Sequence, residues 1–191
     1  MPEQDAVLII TSESQDLPDD LSQVWKNLLP AFQAKALPAN PSGLKALAAF
    51  NASRQIKAPV STLQAALPTK SYLLGTNPLD FRQLTLHANG KMSITTKDST
   101  QHEFKLSQGS WATGKSNLVG PYMLRAARVD LAKKAPFDYA GSYRWVDAET
   151  LEITLLYFES PHHWTFTLKG DQVSVVNSFE PKTEIKIPQR K

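Results

Sequence analysis

The sequence predicts a mainly β protein: an antiparallel barrel of about eight strands, preceded by a strand–helix unit and a helical connector. From residue 71 onward, short segments alternate apolar and polar residues and are separated by turn residues. Before them, residues 1–32 contain an apolar run and then apolar residues at helical spacing. Residues 33–70 are rich in Ala and Pro. We therefore divide the chain into residues 1–32, a connector at 33–70 and a β domain at 71–191.

The first unit opens with an apolar run from Ala6 to Ile10, which is typical of a strand covered on both faces of a sheet. Asp19 or Asp20 can then cap a helix that ends near Phe32. One face of this helix is apolar and consists of Leu21, Val24, Trp25, Leu28, Leu29 and Phe32. One strand and one helix cannot close a core. We therefore expect a truncated piece of a longer protein, whose first unit needs a docking surface on the β domain or on a second copy.

The connector and the β domain contain one short helix and a series of strands. Leu44, Leu47, Ala48 and Phe50 indicate the helix. Asn89-Gly90 and Gly170-Asp171 each separate two alternating segments and predict hairpins with tight turns. Further alternating segments are Phe104 and Leu106, the stretch from Tyr122 to Leu131, Tyr143 and Trp145, and Leu151, Ile153 and Leu155. These segments suffice for a barrel or a sandwich.

The composition narrows the chemistry that the chain can perform. Of its 191 residues, 41% are hydrophobic and 20% are charged, which is typical of a globular domain. The absence of cysteine excludes disulfides, thiolate zinc sites and cysteine nucleophiles. The net charge of +3 comes from basic residues that we interpret as interleaved with acids, so no nucleic-acid partner is expected. No run reaches the roughly 18 apolar residues of a membrane span. The compartment is left open.

A phosphate-binding loop pattern occurs at Gly109, Gly114, Lys115 and Ser116. Its mechanism requires a helix whose N-terminus faces the phosphate, whereas here the chain leads into a further β segment. We therefore interpret the match as a coincidence within a β-turn.

Ser42 and Lys45 form the S-x-x-K pattern of penicillin-recognising enzymes. In those enzymes the serine opens a buried helix and meets further motifs, but none follows here. We interpret this match as a coincidence and predict no catalytic residue in the chain.

Glu159, His162 and His163 are the nearest approach to a metal-ligand cluster. Adjacent histidines in a strand point to opposite faces, and Pro161 prevents a helical turn. A structural role at a strand entrance is favoured, and no metal or cofactor is expected. His87 and His102 are isolated in the sequence and expected to be partly exposed.

Aromatic residues recur at strand-alternating positions in the second half of the chain. They could line a ligand cavity inside a barrel, although such residues more often fill the core. The candidates for the barrel interior or a ligand-lining role are Trp111, Tyr143, Trp145, Tyr157, Trp164 and Phe166.

Several segments together resemble the C-terminal region of serine hydrolases related to class C β-lactamases and penicillin-binding proteins. The segment from Asp5 to Phe32 is similar to the closing strand and helix of their catalytic domain. The β domain resembles the lipocalin-like extension that some members carry. The likeness rests on Tyr72, Asn77-Pro78-Leu79, Leu84-Thr85-Leu86, Gly109 with Trp111, Thr150-Leu151 and the segment from Phe158 to His162.

This resemblance implies a non-catalytic accessory domain whose parent hydrolyses an acyl ester or amide. The family's catalytic motifs lie upstream of its final strand, so none carries over to these residues. The implied partner is the parent's own catalytic domain, with a homodimer as a further expectation, and a periplasmic or secreted parent is plausible. The alternatives are a barrel that binds a small apolar ligand and a module for oligomerisation or interaction.

Overall fold

A computed structural model describes residues 1, 5–10, 14, 16–33, 35, 38–121, 134–180 and 184–188. Contacts divide the chain into two compact units, Met1–Lys57 and Ala58–Lys191. The described residues of the first unit form only helical and irregular structure, and those of the second unit contain eleven strands.

The predicted N-terminal helix is present but is not one regular α-helix. Helix α1 spans Leu17–Gln23 and continues as a π-helical turn at Val24–Leu28 and a 3₁₀ turn at Leu29–Ala31. Its cap is Asp16, whose side chain accepts a hydrogen bond from the Asp19 backbone N–H at 3.1 Å. The helix therefore begins earlier than the predicted caps at Asp19 and Asp20. Pro30 lies in the final turn, where its missing N–H interrupts the regular hydrogen-bond ladder.

The predicted strand from Ala6 to Ile10 is wrong, because these residues have no regular secondary structure. Val7 and Ile9 are 89% and 79% exposed. A strand requires a hydrogen-bonded neighbour, and the described residues of the first unit provide no other strand. The large apolar side chains of the helix are also exposed, namely Leu17, Leu21, Trp25, Leu28 and Phe32.

The short connector helix is confirmed as α2, Pro41–Ser53. It begins at a well-formed cap, because the Asn40 side chain accepts a hydrogen bond from the Gly43 backbone N–H at 2.8 Å. None of its residues is buried. Neither this helix nor any other in the described ranges is long and apolar enough to cross a membrane.

The first sheet of the β unit has four antiparallel strands in sequence order. They are β1 (Lys70–Leu73), β2 (Phe81–His87), β3 (Lys91–Thr96) and β4 (Gln101–Lys105). The β2–β3 hairpin predicted at Asn89-Gly90 is confirmed, with His87 opposite Lys91. Gly90 has a φ of +76°, the left-handed conformation that a three-residue hairpin loop requires.

The second sheet has the order β11-β10-β9-β8-β7-β5, and β6 also pairs with β7. Its strands are β5 (Ser107–Gln108), β6 (Ala112–Ser116), β7 (Phe137–Trp145), β8 (Thr150–Tyr157), β9 (His163–Lys169), β10 (Gln172–Asn177) and β11 (Glu184–Ile187). All pairs are antiparallel except β5 with β7. The β9–β10 hairpin predicted at Gly170-Asp171 is confirmed, and Gly170 has a φ of +56°.

The mainly β prediction is confirmed, and the buried side chains of both sheets form one core. A closed barrel is not detected among the described residues. Their eleven strands exceed the predicted eight because short strands such as β5 and β11 contain too few alternations to stand out in the sequence. The predicted strand from Tyr122 to Leu131 lies outside the described residues.

Candidate functional site

Three of the six candidate aromatic residues lie together in the core. Trp164 contacts Phe166, with ring centroids 6.2 Å apart, and Tyr157, at 5.9 Å. Phe81 of the other sheet lies 5.7 Å from Trp164 and 6.3 Å from Phe166. Most of these contacts are edge-to-face, the geometry that favours aromatic packing. The rings therefore fill the space between the sheets, and a ligand role for them stays a prediction.

Tyr143 and Trp145 hold a strap, the segment from Ser61 to Leu67, against strand β7. The Trp145 backbone N–H donates to Ser61 Oγ at 2.8 Å, and Thr62 N donates to the Trp145 carbonyl at 3.0 Å. The Trp145 indole N–H donates to the Ala65 carbonyl at 3.1 Å, and the buried Tyr143 hydroxyl lies 3.4 Å from the same oxygen. These two aromatic residues thus anchor the chain that enters the β unit.

The sixth aromatic candidate, Trp111, lies just before β6 and is partly exposed. It does not belong to the buried core cluster that contains Tyr143, Tyr157, Trp164 and Phe166. Trp111 therefore lies outside the buried cluster.

The Tyr157 hydroxyl is a buried polar group in an apolar environment. It has no hydrogen-bond partner among the described residues. Burial raises the pKa of Tyr157 far above its ordinary value, so the hydroxyl stays neutral. The ring lies against Gly120, where an added Cβ would approach it to 2.5 Å. The adjoining cavity, as the described residues bound it, has a volume of about 10 Å³, which is at the lower limit for one water molecule.

A serine–histidine pair lies on the outer face of the first sheet. His87 Nε2 and Ser93 Oγ are 3.0 Å apart. Lys91 is paired with His87 across the hairpin, and its Nζ lies 3.3 Å from Glu103 Oε2. Glu103 in turn is the cross-strand partner of Ser93. The group therefore contains a hydroxyl, an imidazole, an ammonium and a carboxylate.

Sequence analysis missed this group because it treated His87 as isolated. The Asn89-Gly90 turn could have revealed the pair. It sets the register of the β2–β3 hairpin and thereby makes His87 and Ser93 diagonal neighbours. The pair has the residue types of nucleophilic catalysis. However, Ser93 is only 2% exposed, and no hydrogen bond orients His87 Nδ1 within the described residues. The geometry thus suits a structural hydrogen bond better than attack on a substrate.

The phosphate-loop pattern lies on a strand. Gly114, Lys115 and Ser116 belong to β6, and Lys115 Nζ forms an ion pair with Asp138 at 2.8 Å. Gly109 lies in a turn with a φ of +68°, and no helix follows Ser116 before Pro121. The backbone N–H groups that would cradle a phosphate are therefore not arranged around one point.

Ser42 of the S-x-x-K pattern belongs to the cap of α2. Its Oγ donates to Asn40 Oδ1 at 2.9 Å, and both residues are exposed. Lys45 is also exposed, on the following turn. This serine therefore stabilises a helix end.

Glu159, His162 and His163 surround the β8–β9 loop and do not converge on one point. Glu159 Oε1 accepts a hydrogen bond from the Asp138 backbone N–H at 3.0 Å. The buried His162 ring packs edge-to-face on Phe179 at 4.9 Å, and His163 N donates to Ser178 Oγ at 2.9 Å. Over the described ranges, no three such side chains are close enough to hold a metal ion.

An open cleft of about 450 Å³ lies at one end of the first sheet. Its loop is rigid, because the Asn77 side chain donates to the Gly75 and Phe81 carbonyls and accepts from two backbone N–H groups. Arg82 and Lys97 lie at its border, but Lys97 is within 4.0 Å of Asp80, which offsets its charge. No buried polar group points into this cleft from the described residues.

Comparisons with protein families, with curated proteins and with solved structures give no match for this chain.

Proposed function

We propose that this chain is the non-catalytic accessory part of a β-lactamase-related serine hydrolase, whose catalytic domain acts on an acyl ester or amide. The observation that carries the proposal is the contrast between the two units. The β unit has a filled core, whereas the first unit exposes many large apolar side chains. A filled core favours support of another domain over ligand transport, and an exposed apolar segment favours docking.

The exposed apolar segment, from Val7 to Phe32, presents enough apolar surface to favour a partner surface. Val7, Ile9 and Trp25 are each more than half exposed. Burying a side chain of this size gains about 1.5–3 kcal/mol, so a partner that covers several of them is strongly favoured. In the family that the segment resembles, the covering surface is the sheet of the catalytic domain.

We further propose that the two sheets wrap around the core as a lipocalin-like barrel. At one seam, Lys70 Nζ forms an ion pair with Asp171 at 2.8 Å, and Gly75 N donates to the Pro188 carbonyl at 2.6 Å. At the other seam, Lys105 N donates to the Tyr139 hydroxyl at 2.7 Å. These contacts support a closed arrangement in which side chains and single backbone groups complete the seams.

The alternative of a ligand-binding barrel predicts an internal cavity among the aromatic residues. Direct contact of Phe81, Trp164 and Phe166 favours the accessory role instead. The third alternative, an oligomerisation module, would use the same exposed apolar segment. Sedimentation velocity of the full chain tests it, because a monomer at every concentration would count against an oligomerisation module.

The decisive experiment reads the coding DNA upstream of Met1 in frame and then assays both products. The accessory proposal expects an S-x-x-K helix upstream. The longer product should hydrolyse a chromogenic β-lactam or a short-chain p-nitrophenyl ester, and the present chain should hydrolyse neither. An upstream frame without that motif would overturn the proposal. Turnover by the present chain that disappears in the Ser42→Ala variant would also overturn it.

A further inference from the structure

One long stretch of the chain carries only positive charge. From Leu21 to Leu79 there is no Asp or Glu, but there are six Lys or Arg residues. All 18 acidic residues lie outside it. The interleaving of charges predicted for the whole chain therefore does not extend to this stretch, which includes α2. Its positive charge is not neutralised by acidic neighbours in the sequence.

Helix α2 presents an apolar face to solvent. Leu44, Leu47 and Phe50 are 70%, 54% and 57% exposed. At 3.6 residues per turn they fall within a sector of about 120°. Ser42 and Lys45 lie on the opposite side of the helix. The exposed helix therefore has one side formed by large apolar residues, and this side is available to a partner.

Positive groups lie on α2 and just after it. The Arg54 guanidinium lies over the Phe50 ring, 5.3 Å from its centroid. Lys45 lies on the side of α2 opposite the apolar side chains, and Lys57 lies beyond the end of the helix at Ser53. Apolar side chains on one side of a helix, with cations on the other side and at its end, are typical of helices that lie in a membrane interface.

We propose that α2 binds reversibly to the surface of a bilayer that contains anionic lipids. Leu44, Leu47 and Phe50 would enter the boundary between headgroups and acyl chains. Lys45, Arg54 and Lys57 would attract the lipid phosphates, which are complementary to a stretch free of acidic residues. This binding does not depend on the accessory role proposed above.

The contact between Arg54 and Phe50 favours a lipid surface over an acidic protein groove. A groove that buries Phe50 would also have to desolvate the guanidinium stacked on it, or break the stacking. At a bilayer, the ring can enter the interface while the guanidinium stays at the level of the phosphates. The pair thus fits a boundary between an apolar layer and an anionic layer.

The test is co-sedimentation of the full chain with vesicles of phosphatidylcholine alone or mixed with phosphatidylglycerol. We expect binding only to the mixed vesicles, weakened by 0.5 M salt because the attraction is electrostatic. The variant Lys45→Gln/Arg54→Gln/Lys57→Gln should bind on the order of 100-fold more weakly. The variant Leu47→Ser/Phe50→Ser should lose binding without loss of the folded β unit, monitored by near-UV circular dichroism.

A matched control variant removes the same number of positive charges from the β unit. The variant Lys97→Gln/Lys169→Gln/Lys186→Gln loses three exposed positive charges of the β unit. We expect it to bind within threefold of the parent chain. Equal weakening of both triple variants would overturn the proposal, because net charge alone would then explain binding. Absence of binding to the mixed vesicles at low salt would overturn it. Stronger retention on immobilised poly-glutamate than on mixed vesicles would also overturn it, because that result indicates an acidic protein partner.

Discussion

Replacement of Phe166 by Ala measures directly whether the aromatic residues pack against each other or line a cavity. Phe166 is completely buried and contacts Phe81 of the other sheet and Trp164 of its own strand. In a filled core the lost ring removes its burial and leaves a hole that the two sheets cannot easily close. We expect the free energy of unfolding to fall by about 3–5 kcal/mol.

Urea denaturation followed by tryptophan fluorescence provides the assay. With a slope of about 2 kcal/mol/M, this loss lowers the midpoint by roughly 2 M. The control is Phe158→Ala, which removes the same ring from a side chain that is 64% exposed. We expect that variant to change stability by less than about 1 kcal/mol. A Phe166→Ala cost of only about 1 kcal/mol would refute the filled core and favour a ligand cavity.

Three further predictions use the same assay. Tyr139→Phe removes the acceptor of the Lys105 backbone N–H and should cost about 1–2 kcal/mol. Gly114→Ala places a methyl group 2.5 Å from the Tyr139 hydroxyl oxygen and should cost about 1–3 kcal/mol. The backbone N–H groups of Glu149 and Thr150 donate to Asp147 and lower its pKa below the ordinary value. The stabilisation by the charged carboxylate is therefore present at pH 7 and lost as the pH falls through that lowered pKa, so the difference between the parent chain and Asp147→Asn should shrink as the pH falls below the ordinary pKa.

Each of these predictions has a result that contradicts it. For Tyr139→Phe the control is Tyr143→Phe, which loses only a hydrogen bond of 3.4 Å. An equal loss of unfolding free energy in both variants would argue against the seam contact at Tyr139. Gly109→Ala meets open space but has a φ of +68°, so it should cost about 1 kcal/mol through backbone strain alone. A Gly114 variant no worse than this one would argue against steric contact. An Asp147→Asn difference that persists unchanged at pH 2 would show that charge is not its origin.

The sequence predicted what depends on local chemistry. The turns at Asn89-Gly90 and Gly170-Asp171 set the positions of two hairpins, because glycine supplies the left-handed backbone that each short loop needs. The helix at Pro41–Ser53 likewise follows from its apolar spacing and its cap. The strand expected from Ala6 to Ile10 failed for the opposite reason. Apolar residues alone do not form a strand, since the backbone needs a partner that sequence periodicity cannot supply.

The candidate site was predicted less well because it depends on which residues become neighbours. His87 and Ser93 meet only through the hairpin register, and Tyr139 meets Lys105 only because two sheets pack together. The alternation that identified Trp164 and Phe166 gives the face of a strand, but it does not say what that face contacts. A ligand cavity and a packed core have the same pattern in the sequence.

Composition alone does not show where the β unit begins. The strap from Ser61 to Leu67 lies within the segment that composition marks as a connector, yet it is fixed to β7 through hydrogen bonds to the backbone and indole of Trp145 and to the hydroxyl of Tyr143. Leu67 is buried in the core. Because these contacts join residues far apart in the chain, the strap restrains β7 as a strand would. The connecting chain is therefore fixed to a defined point of the second sheet before the first strand begins.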